Sequence, residues 1–198
     1  MFDKKPSLQY VRVREVHSPT RANKGDAGID FYVPTDLQYS DLSKANSDAK
    51  NIILTSSGES SFTNMVSVEC NFDHVTCIHM GPHTRVSIPS GIKMIIEPIY
   101  SMLQANDKSG VSSKKGLIVT AGIIDSPYIG ELHLVVVNTT DYPVLIKAGE
   151  KLVQFIHVPI YMTQPEEISN HMFEMWAKQK LEKSGRGESG MGSNKQTL

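Results

Sequence analysis

Hydrophobic and polar residues alternate along most of the chain. The hydrophobic positions of this alternation include Val11 and Val13, the series Val66, Val68, Cys70 and Phe72, and the series Leu132, Leu134 and Val136. A period of two is typical of a strand with one buried face, and turn-forming residues separate the runs. The pattern predicts an all-β protein, built as a barrel or a jelly roll.

Two segments depart from the alternation. Residues 38–62 are rich in Ser, Asn and Asp, which predicts a surface excursion and not core. Residues 163–182 have helical spacing, with Thr163 and Glu166 as a capping box and Pro165 in the first turn. The apolar stripe of this helix, which we expect to dock, consists of Ile168, Met172, Met175 and Trp176.

The last residues, 183–198, are rich in Gly and poor in apolar side chains. Because such a segment buries too little surface to offset its chain entropy, we expect a flexible tail. The remaining chain, residues 1–182, is long enough for one domain with a core of its own.

Composition excludes several classes of protein. The 198 residues carry a formal charge of -1, so there is no overall basic field for stable nucleic-acid binding. The longest apolar runs, such as residues 132–137, are far shorter than the roughly 18 residues of a membrane span. The first residues lack the apolar stretch of a secretory signal, which predicts a cytoplasmic protein with reduced cysteines.

Three segments carry side chains suited to chemistry, and each also has a plain structural interpretation. Residues 106–110 are small and rich in donors, which suits an anion or a solvated turn. Asp125 follows two β-branched residues, where a carboxylate acts as a general base toward water or caps a turn. Arg186 lies among glycines, which fits a loop that closes over an anion or a disordered terminus.

The order of such segments along the chain is informative. In order, they are Ala27-Gly28-Ile29-Asp30-Phe31, Lys108-Ser109-Gly110, Gly122-Ile123-Ile124-Asp125 with Tyr128 and Gly130, residues 149–156 with Gln154, and residues 186–193. Over residues 8–196 they resemble the five ordered motifs of the trimeric dUTPases. The resemblance implies a distorted jelly-roll-like β-barrel and a homotrimer with its sites at subunit interfaces. Residues 38–75 are longer than the link usual in that family, which suggests an insertion.

The resemblance also implies an activity, the Mg²⁺-dependent hydrolysis of dUTP to dUMP and pyrophosphate. This reaction limits uracil incorporation into DNA and supplies dUMP for dTMP synthesis. Asp125 is implied to orient and deprotonate the attacking water, and Tyr128 to pack under the deoxyribose and exclude a 2′-hydroxyl. Asp30 matches an acid that acts near the metal through water, while the triphosphate and water hold Mg²⁺ without a direct protein ligand.

Further residues are assigned to substrate binding by the same resemblance. They are Thr120, Ala121, Gly122, Ile123 and Ile124 around the uracil, Lys108, Ser109, Gly110 and Gln154 at the phosphates, and Arg186, Met191, Gly192 and Ser193 in a tail from a neighbouring subunit. Lys108 stands where the family usually has Arg, which predicts weaker phosphate binding. Met191 stands where Phe usually stacks on the base, which predicts weaker stacking.

Two alternatives stay open. A dCTP deaminase, or a bifunctional deaminase and dUTPase, shares the fold and the hairpin, but its catalytic Glu belongs where Val135 stands. A regulatory binding protein of the same fold would recruit a protein partner through residues 38–75. Cys70 is interpreted as a core strand residue, not a zinc ligand, and isolated histidines such as His133 as surface or satisfied core residues.

Overall fold

The computed structural model describes residues 5–48, 53–55 and 65–184. Contacts divide the chain into two units, Met1–Tyr161 and Met162–Leu198. The first unit contains the strands β1 (Ser7–Arg12), β2 (Ile29–Tyr32), β3 (Ile53–Thr55), β4 (Met65–Asn71), β5 (His74–Met80), β6 (Arg85–Glu97), β7 (Ser101–Asp107), β8 (Leu117–Val119), β9 (Ile123–Asp125), β10 (Glu131–Asn138), β11 (Val144–Lys147) and β12 (Lys151–Pro159), and the helices α1 (Tyr39–Ala45) and α2 (Ser109–Lys115). The second contains α3 (Asn170–Ser184).

The strands form three sheets of four strands each, in the orders β1-β6-β10-β8, β11-β5-β4-β3 and β2-β12-β7-β9. Within the described residues, only β3 and β4 pair in parallel. This arrangement confirms the prediction of an all-β, jelly-roll-like fold. None of the helices in the described part of the chain has the length and apolar character needed to cross a membrane.

The core follows the alternation where the strands are regular. In β10, Leu132, Leu134 and Val136 are buried, while His133 and Val135 between them lie half-buried on the other face. Phe31 and Phe155 pack together in the sheet of β2 and β12, with ring centroids 4.5 Å apart. The alternation therefore leaves His133 and Val135 on the face of β10 that is available to a site.

Residues 38–48 lie mostly at the surface, as predicted for residues 38–62, but the prediction that this segment contributes nothing to the core is wrong at Leu42. Leu42 of α1 is completely buried and belongs to the main core. Asn46, just after α1, donates to the carbonyl oxygen of Ser87 at 2.9 Å and accepts from the backbone N–H of Ser87 at 2.9 Å. Residues 49–52 and 56–64 lie outside the described residues.

The alternation of β4 also fails before its end. Val66 and Val68 are buried as predicted, but Cys70 is exposed, and Phe72 is 94% exposed. The register between β4 and β5 shifts at Glu69 and Cys70, which breaks the alternation of faces. Cys70 is therefore not the core residue that the sequence predicted.

The C-terminal helix begins later than its predicted boundary. Residues 163–169 are not helical, so Thr163 and Glu166 form no capping box for α3. Ser169 is the N-cap residue instead, because its Oγ accepts from the backbone N–H of Met172 at 3.3 Å. Met172 and Trp176 are exposed, and the docking of this stripe stays a prediction.

Candidate functional site

One sheet carries four of the five predicted motifs. In the order β2-β12-β7-β9, Asp30 lies on β2, Gln154 on β12 and Asp125 at the end of β9, while Lys108 follows β7. Gln154 pairs with Asp30 on one side and with Asn106 on the other. The strand order thus places residues that are distant in sequence on neighbouring strands.

Asp30 is a buried carboxylate between two ammonium groups. Lys108 Nζ donates to Asp30 Oδ1 at 2.7 Å, and Lys151 Nζ lies 3.1 Å from Oδ2 as an ion pair. Burial raises the pKa of Asp30, but the hydrogen bonds and charges of the two lysines outweigh burial and hold this pKa below its ordinary value. The carboxylate is therefore ionised and fixes the ammonium group of Lys108.

Gln154 is held between a carbonyl group and a glycine. Its Nε2 donates to the carbonyl oxygen of Asp107 at 2.7 Å. A Cβ at Gly28 would collide with Oε1 of Gln154, so glycine leaves room for this amide. The carboxylate of Asp107 accepts a hydrogen bond from the backbone N–H of Val119, which ties the end of β7 to β8.

The predicted phosphate-binding segment opens the short helix α2. Lys108 is the N-cap residue, and Gly116 ends the helix in the left-handed conformation, with φ of 64°. Ser109 and Gly110 are exposed. A Cβ at Gly110 would meet nothing within 4 Å, so internal packing does not require glycine there.

Asp125 ends β9 and begins the turn that holds Tyr128. The backbone N–H of Tyr128 donates to the carbonyl oxygen of Asp125 at 3.0 Å, and the Tyr128 hydroxyl donates to the carbonyl oxygen of Glu131 at 3.0 Å. A Cβ at Gly130 would collide with the Tyr128 ring, so this glycine sets the position of the phenol. The carboxylate of Asp125 is left exposed to a ligand.

A cavity of about 200 Å³ lies beside this turn. Its lining consists of the predicted residues Ala121, Ile123, Ile124, Asp125 and Tyr128, together with His133 and Val135. Ala121 has a φ of 57°, an uncommon conformation for a residue with a side chain, which shapes the hairpin. Thr120 and Gly122 belong to the same hairpin, and Thr120 Oγ1 is buried without a hydrogen-bond partner in the described part of the chain.

His133 lines this cavity, although the sequence predicts only a surface or satisfied core histidine at this position. Its Nδ1 lies 2.8 Å from Ser87 Oγ, and burial is the main cause that lowers the pKa of this imidazole. A signal was present in the sequence, since His133 and Val135 are two residues apart on one strand and share a face. If Val135 lies at the site, the shared face of the strand places His133 there as well.

The structure does not bring all predicted site residues of one chain together. Asp125 pairs with Met102 at one end of β7, whereas Asp107 and Lys108 lie at its other end. The stretch from Met102 to Asp107 spans about 17 Å at about 3.4 Å per residue. Asp30, Lys108 and Gln154 thus form one cluster, and Asp125, Tyr128 and the cavity form another.

The remaining predictions fall on residues without a described geometry. Arg186, Met191, Gly192 and Ser193 lie outside the described residues. Within the described ranges, no three His, Cys, Asp or Glu side chains are grouped closely enough to hold a metal ion. Both oxygens of Asp30 face lysine ammonium groups, so this carboxylate is not arranged as a direct metal ligand.

Comparisons with known proteins agree on one family. The family model described as dUTPase matches residues 75–194. The deoxyuridine 5′-triphosphate nucleotidohydrolase of Wolbachia pipientis subsp. Culex pipiens is 33% identical over 117 residues, which cover 58% of this chain and 71% of that protein. The enzyme of the same name from Fusobacterium nucleatum is 33% identical over 110 residues, 54% of this chain and 68% of its own.

Solved structures show the same fold. The dUTPase of Staphylococcus bacteriophage 80alpha, solved with dUPNHPP, has a TM-score of 0.61 at 20% identity and covers 96% of this chain and 98% of its own. The dUTPase of phage phi11 of S. aureus, described with a species-specific insert, has a TM-score of 0.57 at 19% identity and covers 83% of this chain and 97% of its own.

Proposed function

The chain belongs to the dUTPase family, and we propose that the cavity beside Asp125 is where it binds the nucleoside of dUTP for hydrolysis to dUMP and pyrophosphate. The observation that supports this assignment most is the cavity lining. It combines an exposed carboxylate, an aromatic ring and the hairpin around Ala121 in one small space. A hydrolase for a pyrimidine nucleotide needs a carboxylate for the water, a flat surface for the sugar and backbone groups for the base.

Asp125 is the catalytic residue of this proposal. Its carboxylate accepts the proton of a water molecule while the water oxygen forms a bond to the α-phosphorus of dUTP. The bond from that phosphorus to the bridging oxygen of the β-phosphate breaks, and pyrophosphate leaves. The backbone carbonyl of Asp125 accepts a hydrogen bond from the backbone N–H of Tyr128. The turn therefore fixes Asp125, the general base, relative to the aromatic ring of Tyr128.

Tyr128 and the hairpin select the nucleoside. The Tyr128 hydroxyl is bound to the Glu131 carbonyl, so the ring is fixed as a flat surface under the deoxyribose. A ribose would place its 2′-hydroxyl against this ring. Ala121, Ile123 and Ile124 line the space for the base, and we assign Thr120 and Gly122 to the same hairpin.

The second cluster serves the phosphates. Lys108, Ser109 and Gly110 offer an ammonium group and an exposed segment, and Gln154 lies on the neighbouring strand. Lys108 is a point charge where an Arg would offer a planar fork, which lowers the number of phosphate contacts. We assign Asp30 the role of positioning Lys108, since its two oxygens face Lys108 and Lys151.

Mg²⁺ fits this arrangement as part of the substrate complex. The described residues offer no group of three ligands, and Mg²⁺ keeps several waters and prefers phosphate oxygens. Bound to the triphosphate, the ion would neutralise negative charge on the phosphates. Residues of the chain then need only to orient the substrate and the water.

The separation of the two clusters supports an assembly of several chains. Asp125 of one subunit and Lys108 of another would meet at an interface, as expected for a homotrimer, because about 17 Å of β7 separates them within one chain. The tail with Arg186 and Met191 would close the site from a further subunit. A protein partner that binds residues 38–75 stays a prediction.

Deamination is not favoured. Val135 lines the cavity where the deaminases need a carboxylate, and its isopropyl group neither accepts nor donates a proton. With dCTP, we expect no release of ammonia.

The experiment that tests the function measures pyrophosphate release from dUTP, dCTP, dTTP and UTP with Mg²⁺. We expect hydrolysis of dUTP alone, and a fall of at least about 100-fold in kcat for Asp125→Asn with dUTP binding retained. Light scattering of the same samples gives the mass of the active species. Full activity of Asp125→Asn, or a monomeric active species, would contradict the proposed site.

A further inference from the structure

The cavity contains one polar side chain that the proposed reaction does not use. Asp125 is assigned to the water, and the Tyr128 hydroxyl already donates to Glu131. Apart from His133, the remaining side chains that line the cavity are aliphatic. His133 is thus the neutral polar side chain left to meet the nucleoside.

The imidazole of His133 is fixed on one side only. Nδ1 lies 2.8 Å from Ser87 Oγ. Nε2, on the opposite side of the ring, has no hydrogen-bond partner among the residues that the structure describes. His133 as a residue is half-buried and lines the cavity, so a ring nitrogen of its imidazole without a partner is suited to a hydrogen bond with a ligand there.

Burial is also the main reason why the pKa of His133 lies below its ordinary value. Arg14 lowers this pKa further, while Glu131 raises it. These two side chains are hydrogen-bonded to each other at 2.8 Å, which limits the net charge that the imidazole meets. A neutral imidazole is therefore present at pH 7.

We propose that His133 is a specificity-determining residue whose Nε2 forms a hydrogen bond with the edge of the pyrimidine base. This inference rests on the proposed function, because it assigns the base of dUTP to the same cavity. The aliphatic walls formed by Ile124 and Val135 suit a flat ring, and one fixed polar group among them decides which ring edge fits. A uracil and a cytosine differ in donors and acceptors at that edge, so the tautomer of His133, with Nε2 as donor or as acceptor, decides which of the two bases it binds better.

Ser87 and Asn46 are positioning residues for this contact. Ser87 lies on β6 and binds His133 through Oγ, while its backbone N–H and carbonyl are both bonded to Asn46. The segment 38–48 therefore reaches the nucleoside cavity through Ser87. This connection gives the family-atypical region a role in orienting a substrate-contacting side chain.

The test compares three variants with the wild type. His133→Leu removes the polar group, and His133→Gln keeps an amide that donates or accepts near Nε2. His157→Gln is the matched control, because His157 Nε2 lies 2.8 Å from Ser101 Oγ, its pKa is also lowered by burial, and it does not line the cavity. We measure kcat and KM for dUTP hydrolysis, and the binding of dUMP and dCMP by calorimetry.

We expect His133→Leu to raise the KM for dUTP and weaken dUMP binding by about fivefold to tenfold, the range of one neutral hydrogen bond. Its kcat changes less than twofold, dCMP binding changes less than dUMP binding, and His133→Gln restores most of the loss. His157→Gln behaves as the wild type.

Several results would overturn the inference. These results are a wild-type affinity of His133→Leu for dUMP, an equal loss of affinity for dUMP and dCMP, or a loss of affinity that His133→Gln does not restore. Circular dichroism shows whether each variant is folded. If the wild type binds dUMP but hydrolyses no dUTP, the proposed function fails, while the calorimetry still decides the role of His133. If the wild type does not bind dUMP, both the proposed function and the role of His133 are overturned.

Discussion

The ammonium group of Lys108 lies 2.7 Å from Oδ1 of Asp30, and the Asp30 side chain is only 4% exposed. Two motifs that are far apart in sequence thus meet as an ion pair. The pair links the carboxylate of β2 to the N-cap residue of α2. Breaking it would affect both the stability of the sheet and the position of the charge that we propose binds phosphate.

A double-mutant cycle measures this link. Lys108→Met leaves a buried carboxylate with one partner and should destabilise the protein, as should Asp30→Asn. The double variant should be less destabilised than the sum of the two, by about 1 to 2 kcal/mol in urea unfolding. Lys151→Met is the control, because Lys151 is 41% exposed, and its coupling to Asp30 should stay below about 1 kcal/mol. Simple additivity for Lys108 and Asp30 would contradict a tight pair.

Stability should depend on pH through Asp30. Because the pKa of this carboxylate is lower in the folded chain than in the unfolded chain, its contribution to stability is fully present above the unfolded value of about 3.9. The contribution is lost as the pH falls from there through the folded pKa. Between pH 5 and pH 3, the melting temperature of the wild type should fall more steeply than that of Asp30→Asn.

Gly130→Ala tests the role of Tyr128. The added Cβ would collide with the phenol ring, and because Tyr128 is 45% exposed, the ring can swing outward at little cost in stability. We expect the ratio of dUTP to UTP hydrolysis to fall about tenfold or more with little change in melting temperature. Tyr128→Phe retains the ring and should retain most of the discrimination. An unchanged ratio in Gly130→Ala would remove the sugar-sensing role.

Two substitutions in residues 38–75 should behave in opposite ways. Leu42 is fully buried, so Leu42→Ala should lower the free energy of unfolding by about 2 to 5 kcal/mol. Phe72 is exposed and has a φ of 53°, so Phe72→Gly should raise the free energy of unfolding by about 1 kcal/mol. Thermal unfolding of the two variants measures both changes in stability. A neutral Leu42→Ala would mean that α1 is not part of the core.

The sequence predicted what depends on local pattern and failed where the tertiary structure decides. The alternation in β10 correctly identified Leu132, Leu134 and Val136 as buried. It failed at Cys70 because a register shift depends on the partner strand, which a single strand's pattern does not contain. The helix was recognised, but Ser169 and not Thr163 caps it, since helix boundaries are less well determined by the sequence than the helix itself.

The candidate site shows the same division. The motifs identified Asp125 and Tyr128, and the structure places both beside one cavity. Lys151 as a second partner of Asp30 was not predicted, because the ion pair forms across neighbouring strands. His133 was not predicted, although it lies two residues from Val135 on β10 and therefore on the same face. Strand periodicity can thus identify cavity-lining residues that motifs omit.

The placement of Asp125 and Lys108 at opposite ends of β7 has a consequence for mixtures of defective chains. If a working site combines Asp125 of one chain with Lys108 of another, an assembly of Asp125→Asn and Lys108→Met chains contains some sites in which both residues are intact. Two preparations that are each nearly inactive would then regain hydrolysis after they are unfolded and refolded together. Because the length of β7 keeps the two residues of one chain apart, the two mutant alleles would also complement each other genetically.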